Sequence, residues 1–382
     1  MSSALAAIFI LLALTLGWWL GRRSGSESRP GQAASLRERI HSLHNALDRH
    51  SDDALESLSQ GLALNPETLE SHVHVGSLFR RRGDIEKAIQ IHQGLLEQAG
   101  AEPGLVAKLH LELARDYIAG GLLGRAEQLL DELVRQGDRP ISFEALDELR
   151  RIREREKDWL QAIKLAVPLL ESRPQLRSSL ANYYCELAQQ KARDGDCNAM
   201  SELLGEALRV DRLCVRALLM RMDGELWRKD VLAAAATLRE LLEQAEGYIG
   251  EVVAVLERRE ALHEPEILAI FRELAAAPDA APALLVVLAS LDGDNTRRWR
   301  ERLLDRVRRQ PSWQGMIDCL DISGAEVGDT ATLSGVRSII ADLHKRAPRY
   351  RCDSCGFFGR QLHWQCPGCH TWNTLRPVTT PW

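Results

Sequence analysis

Cys352-Asp353-Ser354-Cys355 and Cys366-Pro367-Gly368-Cys369 form two C-x-x-C pairs separated by ten residues. Thiolates are soft ligands for zinc and iron, and each C-x-x-C turn can present two sulfurs and nearby backbone N–H groups to one ion. Together the pairs predict a tetrahedral four-sulfur site. One iron or zinc ion is the expected cofactor, with Cys352, Cys355, Cys366 and Cys369 as its ligands. Gly356 stands where a positive φ closes the first turn, and Pro367 stiffens the second. Eight cysteines in 382 residues are too sparse for a disulfide framework. His363 and His370 lie in the same stretch, but four cysteines already complete the site, so both read as surface groups or supports of the ligands. Cys185, Cys197, Cys214 and Cys319 are scattered through helical segments without a pairing rhythm and read as inert thiols.

A segment as short as 350–377 cannot bury enough apolar surface to fold alone. Metal binding would supply much of its folding free energy, on the order of 10 kcal/mol. Phe357, Phe358, Trp364, Trp372 and Leu375 exceed what such a module can enclose, so some are expected to dock on the preceding helices. The cysteine pattern resembles a rubredoxin-like knuckle or zinc ribbon. The stretch from Trp364 through Cys366-Pro367-Gly368-Cys369 to Leu375 is also similar to the amino-terminal ribbon of RadA-type repair proteins. Its spacer is much shorter than that of rubredoxins, which argues against a free electron carrier. Arg349, Arg351, Arg360 and Arg376 against Asp353 give +3, and four thiolates around a divalent ion bring the module to +1. That is no nucleic-acid clamp.

The elements that must position this module read as helices. Aromatic residues make up only 5% of the chain while Leu, Ala, Glu and Arg abound, which disfavours a β-sandwich or barrel. Small residues recur at Ala54, Ala88, Ala126 and Ala162, with Met200 and Ala234 in the matching place. Around these anchors a pattern returns: Val75-Gly76, Phe79, Gly83 leading into Ala88 and Leu113-Ala114, Tyr117, Gly121 leading into Ala126. A weaker copy holds Leu187-Ala188 and Gly195. This resembles the tetratricopeptide repeat, in which small residues let two helices approach, an aromatic fills the gap and Gly turns the chain. The expected fold is mostly α: a tetratricopeptide-repeat α-solenoid over 36–245, degenerate repeats or capping helices over 246–347, and a four-cysteine rubredoxin-like metal-binding domain over 348–382.

Residues 1–21 carry no charged side chain, and 4–20 are almost continuously apolar. At about 1.5 Å per residue that run reaches roughly 26 Å, close to the hydrocarbon thickness of a bilayer. Trp18 and Trp19 stand at its interface end, with Arg22 and Arg23 directly after. A cleaved signal peptide would place its positive charge first, so a single-pass anchor is expected, its N-terminus outside and the body cytoplasmic. Residues 22–35 read as a tether. Gly17 and Gly21 have the spacing of a helix-pairing motif and leave homo-oligomerisation open. Seven arginines fall in 297–309 against Glu301 and Asp305; with a net charge of −5, a solvated helix face is the expected role. No phosphate-binding glycine loop, H-E-x-x-H or G-x-S-x-G occurs, so no enzyme is expected.

Anchor, repeats and ribbon in this order and length resemble the lipopolysaccharide assembly protein B family of Gram-negative inner membranes. The resemblance implies an adaptor that controls lipopolysaccharide synthesis by promoting degradation of the LpxC deacetylase with the membrane-bound protease FtsH, with other lipopolysaccharide assembly proteins as further partners. It carries the metal ligands onto Cys352, Cys355, Cys366 and Cys369. It also implies an inner-membrane location with a periplasmic N-terminus. Two rival classes are a membrane-tethered rubredoxin-like electron carrier and a membrane-attached nucleic-acid binder.

Overall fold

The computed structural model describes residues 69–99, 102–137, 139–277, 280–292, 295–309, 315–316, 318–319 and 348–378. The expected anchor, the tether and the repeat around Ala54 lie outside them. Among the described residues no helix is long and apolar enough to cross a membrane. The chain divides into two compact units, 1–126 and 127–382.

The first unit holds α1 (Leu69–Arg82), α2 (Ile85–Gln98), α3 (Pro103–Ala119) and the start of α4 (Leu123–Gln136). Helix α2 packs on both α1 and α3, and α1 touches α3 in turn, as stacked hairpins require. The small repeat positions explain the close approach. A Cβ on Gly76 would lie 2.5 Å from His92 Nε2, so only glycine leaves room for that ring. His92 is fully buried, with Nδ1 2.5 Å from Asp116 Oδ2 and Nε2 3.1 Å from the Val73 carbonyl. Arg80 then ties Asp116 to Glu112, at 2.7 and 2.6 Å.

Burial opposes the charge on Glu112, but Arg80 and Arg115 outweigh it and hold the carboxyl at about 2. A depressed carboxyl contributes stability above its ordinary value and loses it as pH falls through the folded value. Protection of α1 and α3 from hydrogen exchange should therefore decline between about pH 4.5 and 2. Glu112→Gln should start lower at neutral pH and show a shallower decline; an unchanged profile would refute this role for the ion pair.

In the second unit the hairpins continue: α5 (Arg139–Glu156) with α6 (Trp159–Ala166) and a 3₁₀ turn (Val167–Leu169), then α7 (Leu176–Arg193) with α8 (Cys197–Val210). Next come α9 (Val215–Trp227) with α10 (Val231–Ala245) and a second 3₁₀ turn (Glu246–Tyr248). Helices α11 (Ile249–Arg258), α12 (Pro265–Ala275), α13 (Pro282–Leu291) and α14 (Thr296–Arg309) continue the array where the repeat anchors fade, with α13 paired to α14 and α12 packed on α10 and α13. Ala162, Ala188, Ala207 and Ala234 are fully buried. Met200 is larger than its counterparts, and Gly224 provides the space: a Cβ there would lie 2.9 Å from the Met200 methyl.

One turn recurs in both units. A residue with positive φ is followed by an aspartate that caps the next helix, at Gly83-Asp84, Lys157-Asp158, Gly195-Asp196 and Lys229-Asp230. In each case the carboxylate accepts from a backbone N–H three residues on. Lysine occupies the left-handed place twice, where a Cβ costs about 1–2 kcal/mol. Lys229→Gly should therefore raise the stability of the second unit by about 0.5–1 kcal/mol, measured by thermal melting.

Candidate metal centre and its docking

Three short strands, β1 (Tyr350–Cys352), β2 (Phe358–Gly359) and β3 (Leu375–Pro377), form an antiparallel sheet in the order β2-β1-β3. This sheet frames two knuckles. In the first, the Gly356 N–H donates to the Cys352 carbonyl and Gly356 takes φ +76°, as its position in the sequence predicts. In the second, the His370 N–H donates to the Cys366 carbonyl, and His370 itself takes the left-handed φ of 56°. His370 thus closes the turn through its backbone, with its side chain exposed.

The knuckles bring Cys352, Cys355, Cys366 and Cys369 together, with all four sulfurs within 4.8 Å of one another. Cys352 Sγ lies 3.7 Å from Cys369 Sγ, and Cys355 Sγ lies 3.7 Å from Cys366 Sγ. A tetrahedral ion with metal–sulfur bonds near 2.3 Å needs sulfurs about 3.8 Å apart, so the set fits one zinc or iron ion. Burial works against a charge on Cys352, yet the Thr374 hydroxyl at 3.2 Å and the N–H groups of Ser354 and Cys355 bring its thiol down to about 6. The Gly368 N–H reaches Cys366 Sγ at 3.4 Å. The backbone N–H groups among these hold thiolates ready for a cation. Bound there, the ion would tie the two knuckles into one fold.

Docking fixes the module to the helices of its unit. Glu154, on α5, divides its carboxylate between the two. Oε1 accepts from Trp372 Nε1 at 2.6 Å and from Gln365 Nε2 at 2.7 Å. Oε2 accepts from Arg150 at 2.8 Å and from the Tyr183 hydroxyl at 2.7 Å. The Trp372 ring stands edge-on to Trp159 and Tyr183, with centroids 6.2 and 6.0 Å away. Burial pushes the Tyr183 phenol well up, so it remains a donor. Farther along, Tyr248 stacks on Trp364 with centroids 6.4 Å apart, and its hydroxyl donates to the Leu375 carbonyl at 3.2 Å. Asn373 donates to Ser178 at 2.9 Å, and the Tyr350 hydroxyl donates to Glu251. Of the aromatics that exceed the module's own core, Trp364 and Trp372 meet the helices while Phe358 stays 42% exposed.

One sequence reading needs adjustment, and one functional residue left only a faint trace in the sequence. Cys185 and Cys214, read as isolated, have their sulfurs 4.0 Å apart in a buried core, because α7 stacks against the start of α9. The contact with Cys214, then burial, pushes the Cys185 thiol up, consistent with an inert pair. Glu154 drew no notice in the sequence. Its one signal was the run of charges from Arg150 to Lys157, which hides a buried carboxylate among solvated ones. The arginine-rich helix α14 behaves as a helix face: Arg297 pairs with Glu301 at 3.2 Å, Arg309 pairs with Asp305, and Arg302 caps the carbonyls that end α12.

Residues 350–377 match the family model described as the rubredoxin metal binding domain. The whole chain is similar to lipopolysaccharide assembly protein B of Escherichia coli K12, 29% identical over 98% of each chain. The Haemophilus influenzae protein of the same name is also 29% identical, over 97% of this chain and 98% of its own. A tetratricopeptide repeat protein from Parabacteroides merdae aligns over 72% of this chain and 99% of its own, at 13% identity and a TM-score of 0.36. The resemblance to the lipopolysaccharide assembly protein B family thus runs the length of the chain, with a four-cysteine metal module at its C-terminal end.

Proposed function

We propose that this chain, a relative of lipopolysaccharide assembly protein B along its whole length, is an inner-membrane adaptor in the control of lipopolysaccharide synthesis. Residues 1–21 tether it with its body on the cytoplasmic side. The repeats and ribbon present the LpxC deacetylase to the membrane-bound protease FtsH. Tethering raises the local concentration of both partners at the bilayer, and promotes turnover without any chemistry by the adaptor itself. The observation that carries the reading is the shared Glu154 carboxylate, which fixes the metal module onto the repeat helices as part of one surface. A shuttling electron carrier gains nothing from such a fixture.

The test is a pull-down from native membranes, with the intact chain beside a Cys366→Ala, Cys369→Ala double variant. Co-purification of the protease and the deacetylase, with one or both lost in the variant, is the expected result. Recovery of neither by the intact chain would overturn the reading. Deleting residues 1–21 should slow deacetylase turnover in cells; unchanged turnover would remove the tether from the mechanism.

A further inference from the structure

Between the ribbon and helices α6 and α7 lies an open cavity of about 430 Å³. Its walls are of two kinds. Trp364, half-buried, gives it aromatic surface, backed by the nearly buried Trp159 and Trp372 and held rigid by the ring packing that docks the ribbon. Lys157 and Arg193 bring two cations, both exposed, and among the described residues neither has a carboxylate partner. The carboxylate in the lining, Glu186, is occupied by Arg216 at 2.9 Å, and that guanidinium is only 6% exposed. The same Arg216 donates to the Gln189 carbonyl oxygen at 3.0 Å, which leaves the Gln189 amide N–H groups as further donors at the cavity. The cavity therefore combines rigid aromatic walls with a surplus of positive charge and N–H donors.

We infer that this cavity docks an acidic peptide segment, seating an aliphatic or aromatic side chain against the tryptophans and meeting a neighbouring carboxylate with Lys157 and Arg193. Rigid tryptophans in a recess are the surfaces on which binding energy concentrates, and complementary charge at the rim selects the partner. The volume suits two or three residues of a chain. Two cations beside an aromatic wall are too few to track a phosphate backbone, which disfavours a nucleic-acid strand. The owner of the peptide, as a client or protease, rests on the adaptor reading above; the chemistry of the cavity does not.

The test is fluorescence anisotropy with the full-length, metal-loaded chain in detergent. The probe is a fluorescein-labelled, C-terminally amidated peptide, Gly-Asp-Leu-Phe-Asp-Gly, beside the same peptide with Asn for both Asp. The acidic probe should bind about tenfold more tightly, and Lys157→Gln with Arg193→Gln should erase that margin. Lys157→Arg with Arg193→Lys should keep it, which separates charge from fold. Equal binding of the two peptides, no effect of the neutralising pair, or tighter binding of a hexathymidylate strand would each overturn the proposal. A free-acid Gly-Gly-Leu-Phe probe that outbinds the Asp-bearing peptide would assign the carboxylate to a chain terminus; the reverse order assigns it to a side chain. In the native-membrane pull-down, recovery of neither partner by the intact chain breaks the adaptor reading while the anisotropy result stands. Loss of the acidic-peptide margin with both partners retained separates the two the other way.

Discussion

Stripping the metal with a chelator at neutral pH should unfold residues 350–377 and leave the helices standing. The sheet has strands of only two or three residues, and the buried groups nearest its centre are Cys352, Cys366 and Leu375. So small a core cannot offset the entropy of ordering the chain without the metal–thiolate bonds, which contribute on the order of 10 kcal/mol in such modules. The stacked hairpins keep their own cores, because most of their contacts run between neighbouring helices. Helical ellipticity should therefore change little, while tryptophan emission shifts to longer wavelength as Trp364 and Trp372 leave Tyr248 and Tyr183 for water. Cys366→Ser should give the same spectrum without a chelator. Loss of helicity in parallel with the emission shift would mean that the ribbon is integral to the helical fold. The metal-loaded spectrum also identifies the ion, since iron–thiolate sites absorb visible light and zinc sites do not.

The sequence made the ligands legible because metal chemistry is local: two short turns bring four sulfurs together whatever surrounds them. Repeat anchors were legible for a similar reason, since Ala88, Ala162 and Ala234 must be small wherever two helices cross closely. The turns were legible only in part. Gly83 and Gly195 announce a left-handed residue, whereas Lys157 and Lys229 adopt the same φ and betray it only through the aspartate that follows. The docking of the ribbon was foreseeable from surplus aromatic residues, but its partners were not. Glu154 and Trp372 are separated by 218 residues and meet through tertiary packing alone, which no local spacing records. Met200 and Gly224 illustrate the same limit, a large residue admitted by a small one on another helix.

Replacing Glu154 should release the ribbon from the helices even with the metal in place. Four donors converge on this carboxylate, from Trp372, Gln365, Arg150 and Tyr183, and its side chain is only 13% exposed. Glu154→Ala removes one of the two carboxylates that pair a guanidinium 6% exposed and leaves the Trp372 N–H unpaired, and a buried donor left without its acceptor costs about 1–3 kcal/mol. Arg150 retains Asp147 at 2.7 Å, which keeps the helical core from collapsing and places the loss at the seam. Glu154→Gln keeps the shape, but its amide nitrogen faces donors where an acceptor is required, so it should lie between alanine and the native residue. Trp372→Phe removes one N–H while retaining much of the aromatic packing, a loss of about 1–2 kcal/mol. If the carboxylate is the joint, a cycle combining Glu154→Gln with Trp372→Phe should show a coupling of about 1–3 kcal/mol. Hydrogen exchange over 364–376 should rise in Glu154→Ala, and the metal should pass to a chelator about tenfold faster, since Gln365 adjoins Cys366 and loses its anchor. Unchanged exchange and metal transfer in Glu154→Ala would move the burden of docking to Tyr248 and its stack on Trp364.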